Sequence, residues 1–151
     1  MKSQRMVEVG EAVLESVIYG AGDTVILLPG GGCSVSYFDP FAQTLAAAGF
    51  RTVAVNPRGV SASTGSLQGC TLHHLAADIA GVIEALADAS VHVLGHAFGN
   101  RIARCLAATV QTWCAASSCW RQEVSLDLTR RHTHPSSVSC ARTFPRPSGW
   151  S

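Results

Sequence analysis

No run of about 18 apolar residues occurs in the 151-residue sequence, so no segment reads as a membrane span. The opening residues Met1 to Met6 carry Lys2 and Arg5 but do not lead into a continuous apolar stretch, which argues against a secretory leader. Charge is scarce, at 14% of residues, and nearly balanced, with 11 Lys and Arg against 10 Asp and Glu. Without clustered basic residues the chain is expected to bind neither nucleic acid nor a membrane surface, since both depend on neutralising phosphates. Internal repeats and a Gly/Ser linker are also lacking, so the length fits one domain. The expected setting is cytoplasmic. There the six cysteines are read as thiols, with Cys33, Cys70 and Cys105 placed inside apolar, periodic segments.

What the sequence does contain changes character near Thr109. All three tryptophans (Trp113, Trp120 and Trp150) lie beyond it, and residues 110–151 hold 5 Lys and Arg against 2 Asp and Glu, where residues 1–109 hold 6 against 8. Only six of the 42 residues from 110 on are Leu, Ile, Val or Phe. That is below the roughly 20% needed to offset chain entropy by burial, so a low-structure tail is expected over 110–151. A shifted reading frame would leave this kind of break. Residues 1–109 are read as the folded domain.

In that domain, strands and helices alternate. Val7, Val9, Ala12, Leu14, Val17 and Ile18 suggest an N-terminal hairpin turning near Gly10-Glu11. Thr24 to Leu28, Arg51 to Val55 and Val91 to Leu94 are short β-rich runs, each stopped by glycine or proline. Between the first two, Asp39 followed by Pro40 predicts a capped helix with Phe38, Phe41, Leu45 and Ala48 on its buried face. Between the last two, Thr71 can cap a helix whose stripe is Leu72, Leu75, Ile79, Val82, Ile83 and Leu86. A last helix carries Ile102, Leu106 and Val110. The order implies an α/β fold with a mostly parallel sheet and flanking helices.

Gly95-His96-Ala97-Phe98-Gly99 joins a predicted strand to a predicted helix. Its frame is G-x-S-x-G, a strained turn that presents a nucleophilic serine, with Ala97 in the serine's place. Pro29-Gly30-Gly31-Gly32 follows one strand, and Asn56-Pro57-Arg58-Gly59-Val60-Ser61-Ala62-Ser63, comparable to D-x-R-G-x-G-x-S, follows the next. On these three motifs in register the chain resembles the α/β-hydrolase superfamily over about residues 7 to 108, the first half of that fold. The resemblance implies a truncated α/β-hydrolase fold. It implies that the backbone N–H groups of Phe98 and Gly31 are oxyanion donors, and that Gly30, Gly32, His96 and Arg58 belong to the cleft. No metal or cofactor is implied.

A methyl group cannot attack a carbonyl, and losing such a nucleophile costs on the order of 10⁶ in turnover in a well-studied serine protease. Serine-type catalysis is therefore not expected at Ala97, in a chain related to hydrolases of esters and amides. The alternative is a non-catalytic protein that binds a small carbonyl or anionic ligand at the retained donors. Asp127 and His132 follow Ala97 in the family's order, but the residues between leave no room for the intervening strands and helix. Cys114, Cys119, His132 and His134 begin like a zinc finger and end with H-x-H, too close a spacing for the last pair. The glycines Gly20, Gly22 and Gly30 to Gly32 fit a dinucleotide fingerprint poorly, because the first cluster precedes a strand and the second is not directly followed by a helix. With no strand evident in the tail, the edge of the Val91 to Leu94 strand is expected to be uncovered and open to self-association.

Overall fold

Thr24 to Leu28 is apolar without alternation because both of its faces are covered. In the computed structural model, which describes residues 2–86, 91–116 and 142–144, this segment is strand β3 (Thr24–Leu28), buried at every position. Before it come β1 (Lys2–Val9) and β2 (Ala12–Tyr19), an antiparallel hairpin registered from Lys2 opposite Tyr19 to Val9 opposite Ala12. Gly10 turns this hairpin at φ +56°, a conformation that costs glycine little. After β3 follow helix α1 (Asp39–Ala47), β4 (Arg51–Val55), α2 (Leu72–Leu86), β5 (Val91–Gly95), α3 (Phe98–Ala116) and β6 (Arg142–Phe144). The sheet order is β1-β2-β4-β3-β5-β6. Its centre is parallel, with β3 between β4 and β5, while the hairpin joins antiparallel through β2.

Helices cover both faces. On one, Phe38 and Ala42 pack with Val17, Val25, Leu27 and Ala54. On the other, the predicted stripe of α2 and Ile102 and Leu106 of α3 pack against Leu14, Ile26, Val53 and Val93. The α2 start is capped by Thr71, whose Oγ1 accepts from His74 N at 3.4 Å, while His74 Nδ1 accepts from Thr71 N at 3.1 Å. A histidine here does what glutamate does in a capping box.

Four expectations need correction. Asp39 does not cap α1: a 3₁₀ turn, Val35–Phe38, runs straight into the helix, so Asp39 is already helical and its carboxylate pairs with Lys2 Nζ at 2.9 Å. That lysine holds the Asp39 carboxyl below its usual range. Of the predicted face of that helix, Phe38 and Leu45 pack into the core with Ala42, whereas Phe41 and Ala48 are exposed. Helix α3 continues to Ala116, across the composition break at Thr109. Finally, β6 lies antiparallel on β5, with Val91 opposite Phe144 and Val93 opposite Arg142, so the outer edge of β5 is paired over those residues. The remainder of the tail, with Asp127, His132 and the downstream members of the zinc-like cluster, lies outside the described residues. Among the described residues Cys33, Cys70 and Cys105 are free thiols, and no helix is long and apolar enough to cross a membrane.

Candidate active site

The carboxyl ends of β3 and β5 lie side by side, with Leu28 paired to Gly95, and His96 N extends the pairing by donating to Leu28 O at 3.0 Å. The chain then reverses. Ala97 takes φ +49°, a left-handed conformation that costs a residue with a Cβ roughly 1–3 kcal/mol. Gly99 N donates to His96 O at 2.8 Å and Asn100 N to Ala97 O at 3.1 Å, which closes the turn into α3. A Cβ on Gly95 would fall 2.5 Å from Asn100 N, and one on Gly99 would fall 2.7 Å from Pro29 O. Neither space accepts a side chain, so both glycines are fixed by the close approach of backbones.

Ala97 itself is exposed, with His96 and Phe98 on either side also exposed. The loop after β3 runs against them. A Cβ at Gly30 would stand 3.2 Å from His96 Nδ1 and 3.5 Å from the Ala97 Cβ, and one at Gly31 would stand 3.6 Å from the Phe98 Cβ. Gly32, at φ +76°, turns this loop and faces open space. The structure therefore brings together Gly30, Gly31, His96, Ala97 and Phe98. The N–H of Phe98, as the first residue of α3, has no acceptor within its helix and sits at the positive end of the helix dipole.

A strained residue between a central strand and a helix, facing a glycine loop from the neighbouring strand, agrees with the sequence pattern of the alpha/beta hydrolase fold family, which matches residues 23–116. The chain belongs to the α/β-hydrolase family. It is 32% identical over 82 residues to a Variovorax paradoxus (strain S110) protein named "Putative carbamate hydrolase RutD", covering 54% of this chain and 31% of that one. Among solved structures it is similar to a laboratory-evolved variant of a potato epoxide hydrolase, at 26% identity and a TM-score of 0.69, covering 74% of this chain and 37% of that one. An epoxide hydrolase of Vigna radiata gives 26% identity and a TM-score of 0.67, over 71% and 34% of the two chains. The chain thus spans about a third of the length of each of these relatives.

Arg58 is not placed with the others. In this α/β-hydrolase chain its guanidinium makes two hydrogen bonds to Asp78 of α2, at 2.6 and 2.8 Å, and a longer one to Ser66 O at 3.4 Å. The Asp78 carboxylate raises the Arg58 pKa further, against the opposing effect of burial. The pair borders a shallow depression of about 580 Å³ between the β1–β2 turn and α2, lined also by Glu8, His74 and Glu84. Arg58 therefore fastens its loop to a helix. Asp78 leaves a signal in the sequence, because a carboxylate three residues after Leu75 lies on the apolar stripe of α2 and must find a buried cation there.

A second polar cluster holds the start of the same loop. Glu15 of β2 is buried, and its Oε2 accepts from Asn56 Nδ2 at 2.8 Å and from Ala62 N at 3.1 Å, while Oε1 accepts from Gln4 Nε2 at 2.7 Å. Asn56 Oδ1 in turn accepts from Val35 N at 2.8 Å, so one side chain joins the segment after β3 to the loop after β4. Ser61 stands where the family motif has its second glycine and takes φ +54°, which shows why glycine is usual at that place. Burial pushes the Glu15 carboxyl upward, but hydrogen bonds from Ser61, Ala62 and Asn56 outweigh it and hold the group below its ordinary value of 4.5. The stabilisation is therefore complete above the unfolded-state pKa and is lost as pH falls through the lower, folded-state value. Glu15→Gln, which gives one of these donors a second donor to face, is expected to cost about 1–3 kcal/mol at pH 7. Urea unfolding at pH 7 and below pH 4 checks this: the gap between the natural chain and the variant should narrow on acidification.

Proposed function

We propose that this chain is an α/β-hydrolase of the ester- and amide-cleaving kind in which serine-type catalysis is blocked. Its retained cleft then holds a small carbonyl or anionic ligand without forming a covalent bond. One observation carries the reading. The exposed, strained apex of the turn after β5 bears a methyl group. The backbone around it is otherwise built as for a nucleophile. The donors in this reading are the N–H groups of Phe98 and Gly31, which belong to the main chain and are indifferent to the substitution. Preorganised amides at a helix N-terminus favour an oxygen carrying negative charge. The names of the relatives fit such donors, since cleaving a carbamate or opening an epoxide ring places negative charge on an oxygen. His96 shapes the cleft beside Ala97 and, lacking a hydroxyl to activate there, has no part as a general base.

Ala97→Ser tests the proposal. The expected result with a generic activated ester such as p-nitrophenyl acetate is no turnover above background for either the natural chain or the variant, while acetate shifts the amide resonances of Gly31 and Phe98 in both. Turnover that appears only with Ala97→Ser would reveal a complete acid and histidine pair and leave the methyl group as the sole block. Turnover by the natural chain would overturn the impaired reading.

A further inference from the structure

Five large hydrophobic side chains are exposed among the described residues, and two of them, Tyr37 and Phe98, lie on the two segments that meet at the candidate site. Single exposed apolar residues need no explanation, but a group of rings beside polar donors does. Tyr37 is 58% exposed, yet it is held in place. Its ring stacks on His96 with centroids 5.3 Å apart and planes 25° apart, and meets the buried Phe38 edge-on at 5.5 Å. Its backbone N–H donates to Ser34 O at 3.1 Å, and the turn that carries it is fixed to β4 through Val35 N and Asn56. His96 of the stacked pair stands next to Gly30, and Phe98 stands against Gly31.

We infer that the Tyr37–His96 stack is a specificity-determining wall that selects ligands with a flat, conjugated group beside the carbonyl or anion. This rests on the proposal that Phe98 and Gly31 hold the ligand's oxygen. A rigid aromatic surface loses little conformational freedom on contact, and its quadrupole favours offset stacking with another planar π-system over contact with a puckered ring of similar size. In this reading an aryl carboxylate with its oxygens at the two amides places its ring beside His96, which borders Gly30 and carries the Tyr37 stack.

The test uses three carboxylates, acetate, benzoate and cyclohexanecarboxylate, titrated into the full chain while the Gly31 and Phe98 amide resonances are followed. Benzoate is expected to bind roughly three- to tenfold more tightly than cyclohexanecarboxylate. Tyr37→Ala should abolish that preference, and Tyr37→Phe should keep it. Equal binding of the two ring compounds by the natural chain, or a preference that survives Tyr37→Ala, overturns the inference alone. If none of the three carboxylates shifts the two amides, the underlying reading of the donors fails, and the inference with it.

Discussion

Gly99→Ala is expected to destabilise the fold by at least about 3 kcal/mol, the upper end of what one inserted methyl costs in a packed interior. Alanine is the better helix former by about 1 kcal/mol, and Gly99 lies in the first turn of α3, so propensity alone predicts a gain. Steric overlap opposes that gain and outweighs it. The new Cβ would lie 2.6 Å from the Leu28 carbonyl carbon and 2.7 Å from Pro29 O, and would overlap the Leu28 carbonyl oxygen itself. These are backbone atoms at the end of a central strand, so relief requires α3 to move away from β3. That movement would also separate Phe98 from Gly31. Two other glycines of the same neighbourhood serve as measures. At Gly31 an added Cβ makes only ordinary contact, 3.6 Å from Phe98, and Gly31→Ala should change stability by less than about 0.5 kcal/mol. At Gly32 the space is open but φ is +76°, so Gly32→Ala should cost about 1–2 kcal/mol through backbone strain alone. Urea midpoints for the three variants should rank Gly99, Gly32, Gly31 in order of decreasing loss. A mild effect at Gly99 would mean that the two strand ends and the helix are not packed as described.

These three glycines look alike in the sequence, and that sets the measure of what is legible in it. Continuous apolar runs mark β3, β4 and β5, because a parallel centre buried on both faces admits no alternation. The stripe from Leu72 to Leu86 is readable for the same kind of reason, since periodicity is itself a statement about which face is covered. The glycine frame around Ala97 locates the site, because close backbone approach leaves a trace in residue type. Features that depend on a contact distant in sequence are not readable. Asp39 looks like a cap until the preceding 3₁₀ turn makes it helical. Arg142-Thr143-Phe144 carries no apolar pattern, and it joins the sheet through main-chain pairing with β5, which any residue other than proline can make. Tyr37 gives no signal at all, because an exposed ring is fixed by what it stacks on. The motif around Arg58 suggests a place in the cleft, whereas its partner lies on a helix 20 residues further along.

That partnership carries the other large effect. Asp78→Ala is expected to cost about 3–5 kcal/mol, because Arg58 would remain sheltered with its hydrogen-bonded counter-charge removed. The side chains of Arg58 and Asp78 are only 11% and 6% exposed, so solvent cannot take over the lost partner as it does for a surface pair. Attraction between the two charges is not the source of this figure, since much of it offsets the cost of removing both from water. A double replacement separates the two quantities. Arg58→Met combined with Asp78→Leu removes both charges and fills similar volume, and it should cost less than half of what Asp78→Ala costs alone. High salt should leave the stability of the natural pair almost unchanged, because sheltered charges are weakly screened. Thermal or urea unfolding of the single and double variants decides the point. A loss below about 1 kcal/mol for Asp78→Ala would mark the pair as surface-like. The loop from Asn56 to Ser63 would then be held by the hydrogen bonds of Glu15, Asn56 and Ser63, and Asn56 would still tie it to the neighbouring turn that carries Tyr37.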